Sequence, residues 1–324
     1  MRSDPDTRRH RGELYAALAA TAFGSAYVAT AFALRGFGPL PAAAWRSAVA
    51  AALLVLALGL RGWARGHAAP LLAATPRPAP TRGTRVARSL RLALVATLAG
   101  PVFIVAMNLA VAEVGATITA FLAGLYAVLS AAIAPAFLPE RLAPRVMLGL
   151  LLALAGTALL AELDPGHADA AGIGWGLLAA VAFALFLVLS RRWSVPYGLD
   201  GPGISLASMA ITALSIGGFV LVDDPASLLP AAIPWESAAA LGWLAAAAVV
   251  GQLLTIASVR LIPAARSAAF LLLNPISATI LAVLLLGERP TALQVAGGLL
   301  VLLGIAAATL PLGRDRFGWG RGEA

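Results

Sequence analysis

The chain contains 324 residues, of which 60% are hydrophobic and 12% are charged, and its mean hydropathy is +0.90. Soluble domains carry about 25% charged residues, so this composition excludes a soluble enzyme, while the absence of cysteine excludes a disulfide framework and a cysteine metal site. All 23 basic residues are arginine, and they crowd short polar gaps between apolar runs, which argues against nucleic acid and for a lipid bilayer as the partner.

Ten apolar runs follow one another along the chain. About 20 helical residues cross the hydrocarbon core of a bilayer, so each run predicts one membrane-spanning helix. The first run follows basic residues as a secretory signal would, but its apolar core is longer than the roughly 7–15 residues of a signal and predicts a retained helix. The predicted spans are 14–34, 40–60, 92–111, 116–138, 144–161, 173–190, 204–222, 238–259, 267–286 and 291–310.

The arginines alternate between gaps. With the amino terminus placed in the cytoplasm, the outer gaps contain only Arg35 and Arg289, and Arg46 lies within the second span. Basic residues accumulate on the cytoplasmic side of membrane proteins. We therefore expect a multi-pass protein of the plasma (inner) cell membrane with both termini, residues 1–13 and 311–324, in the cytoplasm.

One gap, residues 61–91, is much longer than the others. It is rich in arginine and contains Pro76, Pro78 and Pro80, which favours a flexible, solvated cytoplasmic linker with no fold of its own. Its positive charge suits anionic headgroups of the inner leaflet. A regulatory surface and a plain solvated loop are both compatible with this composition.

The sequence repeats itself. Two copies of a five-helix unit, residues 14–163 and 172–310, align at a shift of 148 near their ends and of 160 in their first helices, where Ala22-Phe23 matches Ala182-Phe183. Because five is odd, the second copy enters the membrane from the opposite side, and such inverted repeats underlie alternating-access carriers. The other matches are Glu140-Arg141 with Glu288-Arg289, Gly149 with Gly297, and Gly156 with Gly304.

Several motifs resemble an EamA-type member of the drug/metabolite transporter superfamily, over roughly residues 14–310. They are Leu273-Asn274-Pro275 with Leu286-Gly287-Glu288-Arg289-Pro290, and Asn108-Leu109-Ala110 leading to Pro139-Glu140-Arg141-Leu142. The resemblance implies ten helices, a central cavity between the halves, and export of amino acids or related small metabolites. The first-half match of Pro275 is Ala127, so we expect helix bending to differ between the halves.

Polar residues within the spans are the candidates for substrate contact, because each is costly in lipid unless it faces a cavity or a partner. Hydrogen bonding between helices is the competing interpretation. Arg46 either extends to the outer interface beside Trp45 as a belt residue, or faces a cavity and binds a substrate carboxylate. The candidates are Ser25, Tyr27, Trp45, Arg46, Asn108, Tyr126, Gln252, Asn274 and Ser277.

Other residues predict how the helices bend, turn and pack. Pro101, Pro135 and Pro275 are predicted helix breaks or hinges. The repeated glycines, two turns apart, predict close helix packing. The two Glu-Arg pairs lie at helix ends, where they either fix a turn or form a gate; these are Glu140, Arg141, Glu288 and Arg289.

Acidic residues are absent from the middle of every predicted span, so we expect transport without obligatory proton coupling. The sequence presents no catalytic group, metal site or cofactor motif. We therefore expect a secondary transporter of a small-molecule substrate, with a homodimer as an open possibility. A membrane-embedded enzyme acting on lipid or isoprenoid headgroups is the alternative, and a passive channel is less compatible with mostly aliphatic spans.

Overall fold

The computed structural model describes residues 5–67, 82–138, 144–161, 169–194, 196–230, 232–286 and 291–309, and within these ranges the chain is helical with no strand. The helices of the first repeat are α1 (Pro5–Ala33), α2 (Pro39–His67), α3 (Arg82–Thr97), α4 (Phe103–Gly124), α5 (Tyr126–Phe137) and α6 (Pro144–Ala161). Those of the second repeat are α7 (Ala170–Ser194), α8 (Gly201–Asp223), α9 (Trp235–Leu261), α10 (Ala264–Leu271), α11 (Asn274–Leu286) and α12 (Ala292–Thr309).

These helices form the ten predicted crossings of an all-α membrane protein. Among the described residues, seven segments are long and apolar enough to span a bilayer unaided, and three shorter apolar helices, Pro144–Leu159, Arg266–Leu281 and Val295–Ala308, coincide with the fifth, ninth and tenth predicted spans. The ninth span is short because it is broken between α10 and α11. The ten-crossing prediction is thereby confirmed.

The boundary between the third and fourth crossings illustrates the internal repeat. Continuous helical residues run through α4, but Gly115 interrupts them with φ +79° and ψ +169°, a conformation that glycine adopts without steric cost. The position 148 residues later is Pro263, which follows the end of α9 and also turns the chain back into the bundle. Different residues therefore make the same turn in the two halves.

Helix packing follows a pseudo-two-fold pattern that crosses between the repeats. α1 of the first repeat packs along α9 of the second, and its counterpart α7 packs along α4. α1 also packs on α11, as α7 packs on α5, while α2 pairs with α8 and α6 with α12. Each closely packed pair therefore contains one helix from each repeat, which is what an inverted arrangement requires.

The pair α6 and α12 is held by the glycines that the sequence singled out. A Cβ built on Gly149 would lie 2.6 Å from the carbonyl oxygen of Gly304, and one on Gly156 would lie 2.6 Å from that of Gly297. The contacts run in opposite directions along the chain, so the two helices are antiparallel. The predicted packing role of these glycines is confirmed.

The amino-terminal tail and the two ends of the linker 61–91 are helical, although their charge suggested unstructured chain. α1 begins at Pro5, within the predicted tail. α2 continues to His67 and α3 starts at Arg82, so the prediction of a linker without structure over 61–91 is wrong for both of its ends. Proline restricts helix only locally, and Pro76, Pro78 and Pro80 lie between these helices, outside the described residues.

Polar contacts of arginine tie one end of the bundle together. Arg191 donates to the carbonyl oxygens of Val259 and Ile262 at 2.5 Å, and Arg192 donates to the carbonyl oxygen of Phe137. Glu13 of α1 is paired with Arg266 of α10 at 2.5 Å. Arginine side chains thus bond to carbonyls at helix carboxyl ends, which have no partner within their own helix. Another arginine forms the ion pair that joins the two repeats.

Candidate functional site: a polar and aromatic centre between the repeats

Phe183 is the centre of the bundle interior. Its ring lies 4.8 Å from that of Phe103, 5.0 Å from that of Tyr126 and 6.0 Å from that of Phe23. Phe23 and Phe183 are repeat mates, and they meet edge to face across the pseudo-two-fold axis. Helices from both repeats therefore contribute to one aromatic cluster. Its rings meet in the offset and edge-to-face arrangements that aromatic pairs prefer.

Arg46 and Tyr27 are buried beside this cluster. Tyr27 packs with Met107 and the half-buried Phe103, and it is near enough to Arg46 and to Tyr126 to interact electrostatically with both. Arg46 is only 4% exposed, and its Nε and Nη1 atoms have no hydrogen-bond partner among the described residues. This burial favours the interior position of Arg46 over extension to the interface.

Trp45, the preceding residue, points elsewhere. It is 36% exposed, and its Nε1 donates to the carbonyl oxygen of Leu228 at 2.8 Å, in the 3₁₀ turn Pro225–Leu228 between α8 and α9. An exposed indole with its N–H satisfied is the arrangement expected of an interfacial belt residue. Trp45 and Arg46 therefore lie on different sides of α2.

Three further candidates contain buried polar atoms with no partner in the described part of the chain. Asn108 donates from Nδ2 to the carbonyl oxygen of Pro39 at 2.9 Å, but its Oδ1 atom is unpaired. The Tyr126 hydroxyl and both amide atoms of Gln252 are also unpaired. Unpaired polar atoms in an apolar interior are costly, so these groups favour contact with a polar ligand or with water.

Ser25, Asn274 and Ser277 belong instead to contacts between helices. The Ser25 hydroxyl donates to the carbonyl oxygen of Ala22 and accepts from Nε1 of Trp243, a largely exposed residue of α9. A Cβ on Gly24 would lie 2.5 Å from the Asn274 carbonyl oxygen and 2.7 Å from the Ser277 Cβ, so α1 and α11 approach each other closely there.

Asn274 replaces a hydrogen bond that Pro275 removes. With its amide nitrogen facing the neighbouring acceptors, Asn274 donates to the carbonyl oxygens of Leu271 and Ala20 at 2.9 and 2.8 Å. Leu271 is the residue whose carbonyl would otherwise accept from an N–H at position 275. The carbonyl that the proline frees is therefore satisfied within the protein.

The helix break at Asn274 has a counterpart in the first half, although no proline is present there. The fourth crossing breaks at Leu125 and resumes at Tyr126, and the ninth breaks at Leu272 and Leu273 and resumes at Asn274. Each break tightens into i→i+3 hydrogen bonds. The expectation of different bending at this position is wrong, because both halves break there although only the second has a proline.

The other two proline candidates differ in their effect. Pro101 lies in a π-helical turn, Leu98–Val102, in which Gly100 has non-helical backbone angles. A Cβ on Gly100 would lie 2.6 Å from the Ser208 carbonyl oxygen, so α8 approaches this kink closely. Pro135 lies near the end of α5 and is exposed. Glu140, Arg141, Glu288 and Arg289 fall outside the described residues.

Sequence reasoning missed several residues of the centre. Phe23, Phe103 and Phe183 were apolar residues in apolar runs, although the Phe23–Phe183 repeat match was a usable signal. The buried Thr255 hydroxyl, unpaired among the residues described, lies near Gln252 on α9. The ion pair of Glu13 with Arg266 was also missed, because the sequence does not reveal which polar segments meet.

The family model of the EamA-like transporter family matches residues 10–161 and 170–310. The chain belongs to the EamA-like transporter family. One solved crystal structure shares 20% identity with it at a TM-score of 0.70, covering 92% of this chain and 97% of that one, and this likeness supports the fold alone. A search of curated proteins gave no match.

Membership of the EamA-like family confirms the resemblance to the drug/metabolite transporter superfamily. The two matched segments are the two repeat halves, so the family assignment and the cross-repeat packing describe the same architecture. The family consists of transporters, which does not favour the alternative of a lipid-modifying enzyme. The chain is a multi-pass membrane protein of the transporter type.

Proposed function

We propose that this EamA-like protein is a secondary transporter that exports small metabolites, such as amino acids or related compounds, by alternating access between its inverted repeats. The observation that carries the proposal is the buried centre to which both repeats contribute. Its aromatic rings come from α1, α4, α5 and α7, and its unpaired polar atoms come from α2, α4, α5 and α9. A site at the interface of inverted repeats can face each side in turn.

The distribution of charge supports an orientation. Arg88, Arg191, Arg192, Arg260 and Arg266 meet at one end of the bundle, through contacts that join neighbouring helix ends. The positive-inside rule assigns this end to the cytoplasm. We therefore propose cytoplasmic termini in the plasma (inner) membrane, and reporter fusions at the amino and carboxyl ends should both be active only on the cytoplasmic side.

Energy coupling is proposed to be independent of protons. No acidic side chain among the described residues is buried, and Glu13, which lies within α1, is paired with Arg266. A proton-coupled carrier needs a titrating group inside the membrane. Transport into proteoliposomes should leave the internal pH unchanged, and a pH change in fixed proportion to the solute moved would contradict this proposal.

A resistance screen with overproduced protein, followed by flux measurements in proteoliposomes, tests the transport function. Cells should gain resistance to toxic analogues of the exported metabolite, and purified protein should move that metabolite across a vesicle membrane. If none of the compounds to which the cells become resistant is moved across the vesicle membrane by the purified protein, transport is contradicted.

Single cysteines in this cysteine-free chain provide a structural test of the same proposal. A cysteine replacing Tyr126 or Thr255 should react with a small polar thiol reagent and become protected when the transported solute is present. Trp243→Cys is the matched control, because Trp243 is 58% exposed and lies at the bundle surface. Equal protection at all three positions would indicate a global effect and not occupancy of the centre.

A further inference from the structure

The charge of Arg46 has no counter-ion within the described part of the chain. Arg46 is only 4% exposed, and two of its guanidinium nitrogen atoms are buried and have no hydrogen-bond partner among the described residues. The hydroxyl of Ser47, the next residue on α2, is also buried and without a partner there. A buried cation is costly in a membrane interior unless an anion or several acceptors balance it.

The acidic residues that the structure describes do not balance this charge. Of those that the structure describes, Glu13 lies in the third turn of α1 and is paired with Arg266, and Glu113 is exposed and precedes the Gly115 turn. The others lie in the first or last turns of helices or in the connections between them. The full set of described acidic residues is Asp6, Glu13, Asp169, Asp200, Asp223, Asp224, Glu236 and Glu113. The anion that balances Arg46 must therefore come from outside the described chain.

The surroundings of Arg46 indicate which other chemical groups the bound anion has. Tyr27 lies beside Arg46 and packs on Phe103, which contacts the ring of Phe183. These rings offer apolar and aromatic surface next to the cation. None of the described carboxylates is buried in this interior, where it could balance an ammonium group. A guanidinium, by contrast, is well suited to a carboxylate, which it binds through two parallel hydrogen bonds.

We propose that Arg46 binds the carboxylate of the transported solute, and that this solute is a small organic monocarboxylate with an apolar or aromatic body and no ammonium group. This inference rests on the proposed transport function and names its substrate class. Deaminated or N-acylated relatives of apolar amino acids have this chemistry, and a free amino acid would leave its ammonium unbalanced.

The assignment also supplies a driving force for export. The cation stays with the protein, so the solute carries its negative charge across the membrane when it leaves. An inside-negative potential of about 100 mV then sustains an outward concentration ratio of about fifty-fold for a monoanion, without any proton. A carrier with no buried carboxylate among its described residues can therefore export by membrane potential alone.

Ligand-induced thermal stabilisation of the purified protein tests the binding residue. The probes are 3-phenylpropionate, its neutral isostere 3-phenylpropionamide, and the zwitterion phenylalanine, with 4-methylpentanoate, its amide and leucine as the aliphatic set. Wild-type protein should bind the carboxylates at least ten-fold more tightly than the amides and the amino acids. Arg46→Gln should abolish that preference, and Arg46→Lys should retain part of it.

Arg35→Gln is the matched control, because Arg35 is exposed and rests 4.4 Å over the ring of Phe32; it should bind as the wild type does. Unliganded Arg46→Gln should have the same Tm or a higher one, since it removes an unbalanced buried charge. If Arg46→Gln does not fold, the comparison of carboxylate with amide binding by the wild type still tests whether the site prefers a carboxylate. Equal binding of the two, or stabilisation by no carboxylate, overturns the proposal.

Efflux from proteoliposomes separates this inference from the transport function. Vesicles loaded with 3-phenylpropionate at mildly alkaline pH, with protein-free vesicles subtracted, should empty faster under an inside-negative potassium diffusion potential and slower under an inside-positive one. Arg46-dependent binding without flux of any solute would contradict transport and leave the binding site standing. Flux of neutral or zwitterionic solutes that Arg46→Gln retains would leave transport standing and overturn the inference.

Discussion

Tyr126 has a hydroxyl that the fold buries without a partner among the described residues, although its ring is well packed against Phe183. The buried side chains of Ser25 and Asn274, by contrast, have hydrogen-bond partners within the protein. Buried polar groups with a partner and those without one differ in their surroundings and not in residue type. Unsatisfied groups at the centre therefore distinguish candidates for ligand contact from those that only join helices.

Replacing Tyr126 by phenylalanine tests this distinction. Removing an unpaired buried hydroxyl should leave the Tm unchanged or raise it, while binding of the transported solute should weaken about five-fold, the value of one hydrogen bond of about 1 kcal/mol. Tyr197→Phe, at the end of the bundle beneath Arg91, is the control and should change neither quantity. Unaltered binding by Tyr126→Phe would assign the hydroxyl no role in recognition.

At the residue scale, the sequence predicted which side chains are exceptional and left open where they point. Arg46 and Trp45 are adjacent, yet one is buried in the interior and the other lies at the surface with its N–H bonded to Leu228. A helix turns by about 100° per residue, so one residue of offset separates the two environments. Only the rotation of α2 against α8 and α9 determines which residue faces inward.

Individual helices are shaped by small residues and by local replacement of hydrogen bonds. The antiparallel pair α6 and α12 depends on glycines whose backbones nearly touch, and the ninth crossing depends on Asn274 to satisfy the carbonyl that Pro275 leaves free. Both features make predictions about stability that are independent of the substrate.

Gly304→Ala should destabilise the protein, because the new Cβ would lie 2.5 Å from the carbonyl oxygen of Gly149. Overpacking of this kind costs about 1–3 kcal/mol. Gly298→Ala on the same helix is the matched control, since nothing lies within 4 Å of its Cβ position; it should be neutral or stabilising by up to about 1 kcal/mol. Thermal unfolding in detergent micelles measures both, and equal effects would contradict close packing at Gly304.

Asn274→Ala should cost about 1–2 kcal/mol, because it leaves the carbonyl oxygens of Leu271 and Ala20 without their donor. Adding Pro275→Ala should recover part of that loss, since the new backbone N–H at position 275 can bond to the Leu271 carbonyl. A double-mutant cycle measures the coupling. Additive effects of the two substitutions would show that the side chain does not substitute for the missing backbone bond.

The most continuously packed units of the whole molecule are not its two sequence repeats. α1 contacts α9 of the other repeat along its full length: Gly12 lies against Ile262 at one end, Gly251 lies beneath Phe23 in the middle, and Gly36 lies against Ser237 at the other end. α7 is related to α4 in the same way. We therefore expect the proposed alternation to occur by movement between these exchanged units, because each is packed too continuously to open internally.

Disulfides placed within one unit test this division. A Cβ on Gly36 lies 2.9 Å from that of Ser237, and one on Gly12 lies 3.0 Å from that of Leu261, close to the separation of about 3.8 Å that a disulfide spans. Cysteine pairs at each location should cross-link under mild oxidation while at least half of the transport rate is retained. A block of transport that a reductant reverses would show that α1 and α9 separate during the cycle.

The sequence by itself determined the environment, the number of crossings and the inverted repeat, because each follows from local properties: apolar length, the alternation of arginine, and similarity at a fixed spacing. It also identified the packing glycines, since lipid provides no apolar driving force between helices and close approach requires small residues. The tertiary structure alone decided which helix of the other repeat each helix packs against and which polar residues remain unsatisfied. Those outcomes depend on the rotation and pairing of helices distant in the chain, so Arg46 was recognised as unbalanced only once its neighbours were known.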